Sequence, residues 1–127
     1  MIEVLVCEDA EITKGLYQAL GYDYDAEKLA VRAMCKTDCL GYCLFTLADQ
    51  IATVYAVEPV SDVMLADGLL RSALHVGTER GVTEAFYADS AYEPLYQKIN
   101  FFEDATEKRL RLQNLFSDCS CCKKDAE

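Results

Sequence analysis

Histidine occurs once in this chain, and tryptophan does not occur at all. The lone His75 lies four residues from both Arg71 and Glu79, so at helical spacing it shares a face with charged groups and is expected at the surface. That removes a Ser–His–Asp triad and a histidine metal set from consideration. No apolar run approaches the roughly 18 residues a membrane-crossing helix needs, so no membrane partner is expected. The opening MIEVLVCEDAE lacks the basic segment and apolar block of a secretory signal, which predicts a cytoplasmic protein. Basic side chains are few, 12 against 22 acidic ones, for a formal net charge of −10. Such a balance repels phosphate backbones and argues against nucleic acid as a partner. Internal repeats and linker-like stretches are also missing. With 127 residues, 52 % hydrophobic and 27 % charged, the chain suits one globular domain with its own core.

Cysteine, by contrast, is abundant. The count is seven, an odd number that cannot pair fully within one chain. A reducing compartment predicts thiols. Cys119, Cys121 and Cys122 form a C-x-C-C word beside Lys123 and Lys124, inside a polar Cys-rich tail over 117–127 that follows a single domain over 1–116. The lysines would favour thiolate. One reading is a thiol or metal-binding module, completed by Cys7 or by a second subunit. The other is a frayed tail with exposed thiols. Four zinc ligands are not evident, so no metal is assigned. Cys35, Cys39 and Cys43 recur every fourth residue, but their local pattern is a hairpin, where Cys35 and Cys43 suit small buried hydrophobes.

Residues 2–7 form a short apolar run that predicts a first strand. Asp9 is placed to cap a helix with Ile12, Leu16, Ala19 and Leu20 on one face, closed by Gly21. Residues 22–27 read as a polar, aromatic loop. Strands are predicted over 28–36 and 41–47, with short connections into a third over 51–57, giving an antiparallel meander. In IATVYAVEP, β-branched and aromatic residues follow one another as in a strand buried on both faces, and Pro59 stops it. Leu65, Leu69, Ala73 and Val76, with Leu70 and Leu74 beside them, predict a long amphipathic helix ended by Gly81. A strand over 82–88, a helix over 90–99 with Pro94 in its first turn, and an edge strand over 108–116 complete the reading.

The words VYAVEP, DGLLRSALHVGTERG and LYQKINFF, in this order, resemble the acyl-CoA-binding core of the GNAT N-acetyltransferase superfamily. The resemblance implies an α/β fold: a mixed, mainly antiparallel sheet with helices on both faces. It also implies acetyl-CoA as co-substrate and an amine, on a small molecule or a protein, as acceptor. Family members commonly place two helices before the second strand. Only one is readable here, so the acceptor side is expected to be open or completed by a second subunit in a homodimer.

On this resemblance, the edge of Val57 to Pro59 would hold the pantetheine arm. The backbone amides of Val63, Met64, Leu65, Ala66 and Asp67 would hold pyrophosphate, since unpaired donors and the helix dipole favour an anion there. The family's loop pattern, Gln/Arg-x-x-Gly-x-Gly/Ala, falls on Ser61, Met64 and Ala66, of which only Ala66 matches. Asp62 and Asp67 add negative charge, and Asp62 also suits an ordinary helix cap. Tyr96 stands where the family carries a tyrosine that protonates the departing thiolate, a sensible role for a phenol. Glu58, at the end of the third strand of the meander, would take the amine proton directly or through water. Asp89 reads as a cap for the helix at Ser90. The alternative to an acetyltransferase is a non-catalytic protein of this fold, acting through dimerisation or partner binding.

Overall fold

The computed structural model describes residues 2–112. Asp9 starts the first helix as expected: its carboxylate accepts from the amides of Glu11 and Ile12, at 2.9 and 3.3 Å. The elements run β1 (Glu3–Val6), α1 (Ala10–Ala19), β2 (Lys28–Cys35), β3 (Asp38–Ala48), β4 (Ile51–Glu58), α2 (Val63–Glu79) and β5 (Glu84–Tyr87). A 3₁₀ turn (Ser90–Tyr92) leads into α3 (Glu93–Lys98), and then come β6 (Phe102–Asp104) and β7 (Arg109–Leu110). The seven strands form one sheet in the order β1-β2-β3-β4-β5-β7-β6. Every pairing is antiparallel except β4 with β5. That parallel pair needs a crossover, which α2 provides.

Helices cover both faces. Gly77 of α2 lies against Leu47 and Val82, and Leu47 is the cross-strand partner of Ala52. Tyr87, paired with Val54, packs its ring 5.1 Å from that of Tyr96 in α3, so α2 and α3 share this face. On the other face, Tyr17 of α1 sets its ring 6.1 Å from Tyr55. The core between these layers is built on Phe45, Leu44, Val54, Leu69, Leu70 and Leu74, with Tyr17, Tyr96 and Phe101 fully buried among them. Burying a side chain of this size contributes about 1.5–3 kcal/mol. The buried stripe of α2 is Ala66, Leu69, Leu70, Ala73, Leu74 and Gly77. It is turned slightly from the expected one: Leu65 and Val76 sit at its margin, half-buried. Small residues at Ala66, Ala73 and Gly77 let the helix axis lie close to the sheet.

Two features shape the end of β4. The pairing of β3 with β4 passes from Phe45↔Val54 to Leu44↔Ala56, so Tyr55 is an extra residue with no partner, a β-bulge. Gly41 of β3 lies so close to the chain leaving β4 that a Cβ there would sit 2.5 Å from the Glu58 carbonyl oxygen. At the far end of α2, Gly81 takes φ +89°, and the Val82 amide donates back to the Gly77 carbonyl at 3.0 Å, which closes the helix as expected.

Four expectations need correction. The face of α1 turned to the sheet carries Thr13 and Tyr17, while Ile12, Ala19 and Leu20 of the expected face are exposed. The helix expected over 90–99 opens as a 3₁₀ turn before α3. A strand at Phe102–Asp104 was not foreseen: it pairs with β7 across the tight connection that follows it. The last strand is confined to Arg109–Leu110, and the rest of the expected 108–116 run is not strand up to Leu112. Residues 113–116 of that run, and the tail with Cys119, Cys121 and Cys122, lie outside the described residues.

Candidate functional site

The ladder between β4 and β5 ends at Val54↔Tyr87, with the Ala88 amide donating to the Val54 carbonyl at 2.8 Å. Beyond it the two strands part, and residues 55–58 of β4 have no partner on β5. Tyrosines and carboxylates gather at this parting. The Tyr22 hydroxyl, from the loop after α1, lies 3.2 Å from the Tyr55 carbonyl oxygen and 3.1 Å from Asp89 Oδ2. Tyr55 is the bulged residue, with no partner on β3. Asp89 Oδ1 accepts from the Ala91 amide at 2.9 Å, so this residue caps the 3₁₀ turn, as expected, and also binds Tyr22. Tyr92 donates its hydroxyl to Glu58 Oε2, and its ring lies 6.4 Å from that of Tyr96. Glu58 and Tyr96, the two expected catalytic residues, are thereby drawn to one place with Tyr92 between them.

Tyr96 differs from its neighbours. Its side chain is fully buried, and its hydroxyl has no hydrogen-bond partner among the described residues. An unsatisfied buried polar group costs about 1–3 kcal/mol, so a retained one calls for a reason. Burial pushes its pKa well above the usual phenol value, and the nearby Cys43, Tyr92, Tyr22 and Asp89 push the same way. The proton therefore stays on the oxygen until a base arrives.

The same trend runs through the cluster. Tyr22 is pushed up to about 12 by burial first and then by its bond to Asp89. Tyr87 reaches about 12 through burial and its bond to Glu93. Tyr17 and Tyr92 are raised as well, chiefly by burial. A folded-state value above the unfolded one contributes stability that is present below the unfolded value of about 10 and lost as pH rises toward the folded value. The protein is therefore expected to hold its stability to about pH 10 and lose it steeply between about 10 and 12. Tyrosinate absorbance and circular dichroism, followed together, should show one cooperative step. Graded ionisation near pH 10 with the fold intact would contradict it.

The expected cofactor residues fall along one path. Val57 is buried opposite Cys43, and Pro59 leaves the strand beside Gly41. Val63, Met64, Leu65, Ala66 and Asp67 form the first turn of α2. Asp62 is its cap, and its Oδ1 accepts from the Leu65 amide at 3.1 Å. Ala66 donates to the Asp62 carbonyl at 2.9 Å, so the Val63 and Met64 amides are the ones with no intrahelical acceptor. Met64 projects into solvent, 86 % exposed, and Asp67 pairs with Arg71 at 3.3 Å. At the expected pyrophosphate end, the Asp62 carboxylate already takes the Leu65 amide, one of those an anion would use.

His75 is exposed beside Glu79, 3.5 Å away. Cys43 is buried, as expected, whereas Cys35 is half-buried. Sequence reasoning missed Tyr22 and Tyr92. A signal for Tyr92 was present: it lies four residues before Tyr96, which at helical spacing puts the two side chains together.

Comparison with solved structures returns acetyltransferases. The ribosomal-protein-S18-alanine N-acetyltransferase from Escherichia coli is 14 % identical, with 86 % of this chain and 88 % of that one covered and a TM-score of 0.54. A Bacillus subtilis acetyltransferase in complex with CoA is 14 % identical over 83 % and 79 % of the two chains, with a TM-score of 0.58. A GNAT-family acetyltransferase from Staphylococcus aureus Mu50 is 11 % identical over 81 % and 85 %, with a TM-score of 0.56. No protein-family model and no curated protein sequence matches the chain. At these identities the likeness is one of architecture: the chain has the fold of the GNAT N-acetyltransferases, in a divergent form.

Proposed function

We propose that this protein is an acyl-CoA-dependent N-acetyltransferase using acetyl-CoA and an amine acceptor. The observation that carries the reading is the buried, unpartnered hydroxyl of Tyr96 beside the parting of β4 and β5. Acetyl-CoA, when bound, supplies a thioester acyl group. The backbone of Val57 to Pro59 would hold its pantetheine arm, and the amides of Val63 and Met64 its pyrophosphate. Glu58 keeps Oε2 on Tyr92 and has Oε1 for an acceptor ammonium, from which it can take a proton. Tyr96 holds a proton with no competing acceptor, the state required of a donor to a leaving sulfur. Fixing amine and thioester against each other supplies the rest of the rate through positioning. The acceptor is a small amine or a protein amine, and thiols kept reduced fit a cytoplasmic setting. No helix of the described residues is long and apolar enough to cross a membrane.

Calorimetry with acetyl-CoA tests this. The protein is expected to bind it at micromolar concentration, and Asp62→Asn to tighten binding about two- to fivefold, the usual worth of one charge at a helix N-terminus. Absence of binding by either protein at millimolar ligand would leave the second reading, a non-catalytic protein of this fold. The feature favouring that reading is edge strand β1, whose Leu5 and Val6 side chains are exposed.

A further inference from the structure

Arg32, in the middle of β2, has a buried Nε with no hydrogen-bond partner, and no carboxylate of the described residues lies within ion-pair distance of its guanidinium. A guanidinium cannot shed its charge, so an unpaired buried donor on it is costly and suits a ligand that arrives with the missing acceptor. Its position says which ligand. Arg32 is the cross-strand partner of Tyr42, and Tyr42 is the partner of Glu58. Cross-strand partners share a face, so the three side chains stand in a row across β2, β3 and β4. The row continues to Tyr92, which donates to Glu58. Burial raises the pKa of Tyr42, and Glu58 raises it further, as expected of neighbours. On the other side Arg32 is paired with Leu5 of β1, which is 53 % exposed, so this end of the row is open to solvent.

We propose that this row is the acceptor subsite and that it selects an amine which also carries a carboxylate. The ammonium would meet Glu58 and the carboxylate would meet Arg32, with the Tyr42 ring beneath the link between them. The two outer strands lie about 10 Å apart, which bounds the separation of the two groups. An Arg–carboxylate pair is charge-assisted and takes a fork geometry that a lone amine cannot satisfy. Arg32 would then be a specificity-determining residue. The inference rests on the acetyltransferase reading only for which end of the acceptor reacts, because the binding chemistry is independent of acyl transfer.

The test is a binding ladder on the full chain: glycine, β-alanine, 4-aminobutyrate, 5-aminovalerate and 6-aminohexanoate, each against the n-alkylamine of equal length, by calorimetry. At least one amino acid is expected to bind about tenfold or more tightly than its alkylamine. Arg32→Met should abolish that difference while leaving the weak alkylamine binding unchanged. Arg32→Lys should restore part of it, which a purely structural arginine would not do. Binding of no ladder member at millimolar concentration, or equal binding of acids and alkylamines, would overturn the proposal. So would a preference that survives Arg32→Met. Titration with acetyl-CoA in parallel separates the two readings: amino-acid binding without acetyl-CoA binding removes the transferase and keeps the subsite, and the reverse removes only the subsite.

Discussion

Tyr96→Phe is expected to lower acetyl transfer by roughly 10²- to 10⁴-fold, the usual contribution of a positioned acid, and at the same time to raise stability. The two effects have one cause. The hydroxyl is buried with nothing to bond to, so it is a burden in the resting protein and useful only when a base stands before it. Removing it should return about 1 kcal/mol or more, seen as a melting temperature higher by roughly 4 °C. Thiol release from acetyl-CoA reads the first effect and a thermal melt the second. Tyr17→Phe is the contrast. The Tyr17 hydroxyl donates to the Leu29 carbonyl at 2.6 Å and lies 3.0 Å from the Phe45 carbonyl, so its loss should destabilise. A lower melting temperature for Tyr96→Phe would mean that the hydroxyl has a protein partner after all, and unchanged turnover would remove it from the chemistry.

Gly41→Ala should be among the most damaging single-methyl additions in the chain. The new Cβ would stand 2.5 Å from the Glu58 carbonyl oxygen, 2.9 Å from Pro59 Cδ and 3.1 Å from Leu69 Cδ1. The first two are a backbone atom and a ring atom, and neither can swing aside. The strands must separate where Tyr42 pairs with Glu58, at a cost of about 1–3 kcal/mol and a fall in melting temperature of roughly 4–12 °C. Gly68→Ala, within α2, meets nothing within 4 Å. There the same substitution should stabilise by up to about 1 kcal/mol, through helix propensity and a less flexible unfolded chain. Opposite signs for one chemical change would tie the effect at Gly41 to contact with the chain leaving β4. Equal losses at both positions would contradict it.

The middle of the chain was the most readable part, because its signals are local. Leu69, Leu70, Ala73 and Leu74 mark a helix by spacing alone, and Asp9, Asp62 and Asp89 each announce a cap within three residues of the amide they bind. What escaped depends on distant partners. Phe102–Asp104 is too short and acidic to read as a strand until β7 lies beside it. Tyr22 meets Asp89 across 67 positions and Tyr92 meets Glu58 across 34, and no periodicity relates such pairs. Ala66 and Gly77 were passed over as core because small residues carry little hydrophobic signal, although close packing of helix on sheet demands them. Arg32 carries no local signal of its own, since its meaning depends on which residues of β3 and β4 come abreast of it.

The bulge at Tyr55 acts as a phase shift. Up to Val54, the even-numbered side chains of β4 point toward α2 and α3. With one unpaired residue inserted, Val57 takes the inward side and Glu58 the outward one, because Val57 is abreast of Cys43 and Glu58 of Tyr42. In an unbroken strand, alternation would drive the Glu58 carboxylate beneath α2, among leucines, and turn Val57 to the opposite face. A single skipped rung thus decides on which side of the sheet this carboxylate is presented. Removing that rung would turn the Glu58 side chain to the other face of the sheet without changing a single amino acid.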